Sequence, residues 1–323
     1  MEENNLNNND NLIYRKGGPL SKLSPLFFIF IALATVFFLY QIIGGSILYL
    51  LGADSEINSS NLTMIRIVMT FAQFMFILSP AILLAMLQEN NIKETFRLKM
   101  PKIPVLIFAI IGILVIQPFL QVYLYYQNEL IFSLPFGKEA INQLKELFDM
   151  MESMTNKLVE AKSLPEFILV VIVIAITPAI CEEFLFRGLV FRNFEKIVPA
   201  SKAIFFTGLL FALFHFHPFN IIPLTALGIF LTFIVYHSGS IYPAVICHFI
   251  NNFISAFAVY WLGTESVGSD KMSGEEQVQF VLLGAVSFAV FTGSIILIKK
   301  YSIIKNEKAN DVEVLNNIQG TNE

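Results

Sequence analysis

Ionisable side chains are sparse in this sequence, and the few that interrupt its long apolar runs are of types that bind and move protons. One run reads Ile-Thr-Pro-Ala-Ile-Cys-Glu-Glu-Phe-Leu-Phe-Arg-Gly from Ile176 to Gly188, so that Glu182 and Glu183 follow fourteen uncharged residues, 168–181. An ionisable group inside a bilayer costs about 2.5–3.5 kcal/mol on insertion scales, so each one asks for a partner or a function. Glu183 and Arg187 stand at i and i+4, in the order that favours pairing on a helix. Glu182 points about 100° away and stays available. Pro178 frees the carbonyl of Ile174 from its intrahelical hydrogen bond, and in a membrane that carbonyl must be covered by protein or water.

All four histidines fall between 215 and 248. His215 follows Phe211 by one helical turn, and His248 precedes Asn252 by one turn, with Asn251 beside it. His217, next to Pro218, reads as a helix terminator, and His237, beside Ser238 and Gly239, as part of a turn. A Glu, two His and an Asn within an apolar bundle suit hydrolysis. Glu182 is placed to act as general base on a water that His215 positions. His248 and Asn252 are then donors to the oxyanion of a tetrahedral intermediate. Two other readings stay open on these residues. Glu182, His215 and His248 suit Zn²⁺ with an open water position, although no His-Glu-x-x-His is present; no cofactor is favoured, and zinc is the alternative. Glu182, Glu183 and Arg187 could also form a purely structural ion cluster.

The elements that must position these groups follow from composition. Of 323 residues 55% are hydrophobic and 14% charged, against about 25% charged in soluble domains, and the mean hydropathy is +0.67. These values exclude a soluble domain and a disordered chain, and the net charge of −4 argues against a nucleic-acid binder. Apolar stretches lie near 26–51, 64–87, 103–126, 167–190, 203–217, 219–236, 241–262 and 278–298, each near the length of about 20 residues that a spanning helix needs. The fold class is therefore all-α, a polytopic transmembrane helical bundle of about eight spans over 26–301, between polar tails at 1–25 and 302–323. Lys and Arg concentrate in alternate connections (Lys93, Arg97, Lys99 and Lys102, then Arg192, Lys196 and Lys202), which predicts both termini in the cytoplasm. With that orientation Glu182 and His215 lie roughly 18 Å from the inner face and His248 roughly 10 Å, depths compatible with one site reached from the cytoplasm. The segment 139–160 carries Ile141, Leu144, Leu147, Phe148, Met151 and Leu158 at helical spacing among Lys and Glu, which predicts an amphipathic helix on the outer surface. Cys181 and Cys247 sit in apolar runs with no disulfide spacing and read as buried thiols.

At Glu182-Glu183-x-x-x-Arg187, Phe211-x-x-x-His215 and His248-x-x-x-Asn252, in that order and in successive apolar segments, the chain resembles the CPBP family of intramembrane endopeptidases. That family comprises the type II CAAX prenyl proteases and Abi-like proteins. The resemblance covers about 165–262 and includes the run 236–248 that leads into the third motif. It implies an eight-helix intramembrane protease with a polar cavity open to the cytosol. Its substrates would be membrane-anchored proteins, prenylated CAAX-type proteins among them, and nucleic acid would have no part. Carried over by motif position, Glu182 and His215 activate water, His248 and Asn252 stabilise the oxyanion, and Glu183, Arg187 and Phe211 support them. Glutamate chemistry is expected over a metalloprotease, and a bacterial plasma membrane is the expected location. A non-enzymatic immunity or regulatory protein on the same fold is the alternative. A transporter is disfavoured by the lack of detectable paired repeats with broken helices.

Overall fold

In lipid a polypeptide must satisfy its backbone hydrogen bonds internally, and apolar runs of this length do so as helices. The computed structural model describes residues 18–51, 61–89, 91–133, 137–263 and 273–302, and among them it is helical with no strand. The principal helices are α1 (Pro25–Leu50), α2 (Leu62–Gln88), α3 (Ile103–Ser133), α4 (Lys138–Val159), α5 (Leu164–Phe194), α6 (Ala200–Leu213), α7 (Pro218–Ser238), α8 (Tyr242–Leu262) and α9 (Gly274–Lys300). The tails expected at 1–25 and 302–323 lie largely outside the described residues, as does most of the first loop.

Seven of these helices are long and apolar enough to cross a membrane: α1, α2, α3, α5, α7, α8 and α9. The remaining expected span, 203–217, the fifth in order, is instead the fourteen-residue α6. At 1.5 Å per residue it is about 21 Å long, short of the roughly 30 Å hydrocarbon core. Two residues end it. Phe216 takes a left-handed backbone conformation, φ 50°, which is a genuine outlier for a bulky side chain. Pro218 then opens the next helix. His215 therefore sits in the turn after α6 and not within a span.

The bundle is organised around α5 and α7, the two most buried spans. Leu185, Phe186, Leu189 and Phe191 of α5 and Leu231 and Ile234 of α7 share one core with Phe28 of α1 and Ile113 of α3. At the crossing of α6 and α7 a Cβ built on Gly228 would lie 2.8 Å from Gly208 Cα. Only glycine allows that backbone contact, the usual device for close helix approach in membranes. α5 begins where Ser163 accepts from the Glu166 amide and Pro165 fills the first turn, both standard helix-start signals.

The amphipathic helix expected at 139–160 is present as α4. It does not blanket the bundle: Leu144, Leu147 and Met150 are exposed. Its end is held instead. Val159 is buried with Phe167, Val170 and Ala256, and the buried Arg66 of α2 donates to the Leu158 carbonyl at 2.9 Å and to the Glu160 carbonyl, a cationic cap on a helix C-terminus. His237, in the last turn of α7, meets Ser302 Oγ at 3.0 Å and serves to tie down the end of α9.

Candidate active site

The site begins with the irregular path of α5. Its backbone widens into a π-helical turn over Val171–Ile176, just before Pro178, and again over Phe184–Val190. Such turns recur at functional positions in helices. Pro178 has no N–H to give to the preceding carbonyls, and side chains supply what it lacks. Thr177 Oγ1 donates to the Ile172 carbonyl at 2.8 Å. Gln73 of α2 donates to Val173 at 3.4 Å, and Asn252 of α8 donates to Ile174 at 2.9 Å. Asn252 is held in turn by Asn251 at 3.0 Å, and Asn251 by Gln117 of α3 at 2.9 Å. Polar residues on three other spans are thus explained by the backbone of one. We expect Asn252→Ala to cost about 1–3 kcal/mol, the penalty of an orphaned buried acceptor. In unfolding experiments in detergent, adding Pro178→Ala should recover much of that loss, because the restored amide covers the same carbonyl; two losses that merely add would refute the coupling.

Beyond Pro178 the two glutamates part. Glu183 is fully buried, and its Oε1 accepts from Arg187 Nη1 at 2.6 Å and from His248 Nδ1 at 2.8 Å. Arg187 is equally buried. It donates to the Gly228 carbonyl at 3.0 Å and to Thr232 Oγ1 at 3.3 Å, and it lies over the Phe211 ring at 4.6 Å. The close α6–α7 crossing brings that carbonyl within reach. Because Glu183 accepts at Nδ1, His248 has a fixed tautomer and ring orientation. Phe211 joins the three motifs physically: its ring is 4.6 Å from His215 and 5.7 Å from His248.

Glu182 faces elsewhere, into a cavity of about 210 Å³ that it lines with His215, Tyr40, Gln41, Val36, Phe37, Ile77 and Phe214 among others. Glu182 Oε2 is 3.7 Å from His215 Nε2 and makes no hydrogen bond. His215 Nδ1 is 2.7 Å from the Phe211 carbonyl. A carbonyl can only accept, so Nδ1 carries a proton, and in the neutral imidazole Nε2 then turns its lone pair toward Glu182. Of the residues singled out by sequence, the structure joins Glu182 to His215 and joins Glu183, Arg187 and His248 to one another. Asn252 is at the Ile174 carbonyl, and neither it nor His248 lines the cavity. Sequence reasoning missed Tyr40 and Gln41, whose only signal is a polar pair within an apolar run.

A larger pocket, about 350 Å³, lies at Arg97, Lys99, Arg192 and Glu195. Burial pushes the Glu195 carboxyl up, and the paired Arg97 guanidinium pulls it back down. This pocket has no His beside a free carboxylate and offers no comparable chemistry. His217 is held below the usual imidazole range by burial, with His215 adding to the effect, which suits a structural role. Among the described residues no three His, Cys, Asp or Glu side chains are grouped to hold a metal ion. Of the trio Glu182, His215 and His248, the first two line one cavity, while His248 pairs through Nδ1 with Glu183 and does not line it.

Residues 164–254 match the family model described as type II CAAX prenyl endopeptidase Rce1-like. No curated protein and no solved structure matches the chain. The matched segment opens with the first residue of α5 and closes two residues beyond Asn252, so it spans both glutamates, the cavity histidine and the buried Glu183–His248 pair. Over that segment the chain is similar to the type II CAAX prenyl endopeptidases, in agreement with the resemblance carried by its three motifs.

Proposed function

We propose that this protein is an intramembrane endopeptidase that hydrolyses peptide bonds of membrane-anchored proteins, prenylated CAAX-type proteins included, with a glutamate-activated water. The observation that carries the reading is the pair Glu182 and His215, two acceptors 3.7 Å apart in one cavity. One water molecule, with two hydrogens to donate, satisfies both at ordinary hydrogen-bond distances. It is thereby held with its oxygen free to attack. Glu182 takes the proton as the water oxygen adds to the carbonyl carbon, and returns it to the leaving nitrogen as the C–N bond breaks. On the α8 side Asn252, with one amide hydrogen left after Ile174, is one donor; His248, whose Nδ1–H goes to Glu183, is the other, donating through Nε2 as the imidazolium paired with that carboxylate. Glu183 and Arg187 hold the buried frame. The bacterial plasma membrane, with both termini in the cytoplasm, is the proposed setting.

The test compares protein termini in membranes from cells carrying wild-type protein or Glu182→Gln at equal abundance. New termini present only with the wild type would support proteolysis and name the substrate. Identical termini, with a deletion phenotype rescued by the variant, would leave a non-enzymatic regulatory partner. We further expect cleavage by the purified protein to survive prolonged treatment with a zinc chelator. Loss on chelation with recovery on adding zinc would make Glu182 a ligand rather than the base.

A further inference from the structure

We infer that Tyr40 is a further catalytic residue, its hydroxyl donating a hydrogen bond to the scissile carbonyl from the α1 wall of the cavity. The inference rests on the hydrolytic reading above and adds to it a residue outside all three motifs and outside the segment matched to the family. Four observations converge on it. Tyr40 lines the same cavity as Glu182 and His215. Tyr40 is half-buried, and among the described residues its hydroxyl makes no hydrogen bond, so its O–H is open to a group entering the cavity. The π-helical stretch Phe37–Gly44 turns both Tyr40 and the neighbouring Gln41 toward the cavity, although adjacent residues diverge on a regular helix. Finally, the donors proposed on α8, His248 and Asn252, do not line this cavity, so a carbonyl lying against its α1 wall must find its donor on α1.

The rest of the cavity wall is apolar: Val36, Phe37, Ile77, Leu185, Phe186 and Phe214. A peptide carbonyl entering it loses water and needs a donor in exchange. Tyr40 supplies one without giving up its proton. As the water oxygen adds to the carbonyl carbon, the C=O electron pair moves onto oxygen, and the Tyr40 hydrogen bond strengthens with the charge. When the intermediate collapses, the pair returns, the C–N bond breaks and the nitrogen takes the proton held by Glu182. Tyr40 ends unchanged.

The experiment uses the full chain and three forms: wild type, Glu182→Gln and Tyr40→Phe, with Phe38→Leu on the exposed side of α1 as a control. Glu182-dependent termini are collected from membranes first. The purified forms are then assayed, per mole of monodisperse folded protein, on a peptide spanning the cleavage site so identified. Removal of one oxyanion donor costs about 10²–10³-fold in kcat, so Tyr40→Phe is expected to lower kcat at least about 10²-fold with KM and thermal unfolding unchanged. A Tyr40→Phe enzyme with wild-type kcat would overturn the role of Tyr40 and leave the protease reading standing. An equal loss in KM alone would overturn the donor role as well. Absence of any Glu182-dependent terminus would overturn the protease reading and this inference with it.

Discussion

Glu182→Gln should lower peptide cleavage by about 10³-fold, within the range contributed by a positioned general base, and leave thermal unfolding in detergent unchanged. The substitution keeps the shape of a side chain that makes no hydrogen bond through Oε2 and packs on a cavity wall. Changes away from buried networks are usually within about 0.5 kcal/mol. Glu183→Gln, one residue on, should behave oppositely. It strips the charge from an oxygen that receives both Arg187 and His248, so stability falls together with activity. Equal effects of the two substitutions on stability would refute the division of labour between them.

The second large effect is expected at Arg187. Its guanidinium and the Glu183 carboxylate are both fully buried, and breaking such a pair strands a charge at a cost of about 3–5 kcal/mol. Arg187→Met should therefore abolish a well-folded protein in mild detergent, as read by monodispersity and thermal unfolding. Adding Glu183→Gln removes the stranded charge and should return much of the stability without returning activity. Failure of that double variant to recover would mean that the bonds from Arg187 to Gly228 and Thr232 outweigh the ion pair.

Much of this arrangement was legible before any coordinates. Apolar runs of membrane length mark the spans, because only helices close their backbone bonds in lipid, and Glu182 and Glu183 stand out against fourteen uncharged neighbours. The freed Ile174 carbonyl follows from Pro178 alone. Its partner does not. Asn252 lies 78 residues away, and which helix crosses which is a property of packing that no local spacing encodes. The same holds for Glu183 with His248, and for Tyr40, which arrives at the cavity from a helix without a motif. The expected span at 203–217 came out short because apolar composition extends past Leu213 while the backbone does not. Hydropathy registers Phe214 and Phe216 as membrane residues, but it carries no information on the left-handed φ at Phe216.

The wide turn at Val171–Ile176 has a consequence for inheritance. A π-helical turn amounts to an α-helix carrying one residue more than its hydrogen bonding requires. The extra residue is taken up within the turn itself, so losing it would let the segment close as regular helix with Glu182 and Arg187 facing as before. Losing a residue of the regular helix between that turn and Glu182, with the wide turn kept, would instead swing the glutamates by about 100°. In an alignment, then, a one-residue gap at the wide turn is compatible with an intact site, whereas one just after it is a sign of lost activity even with every motif letter present.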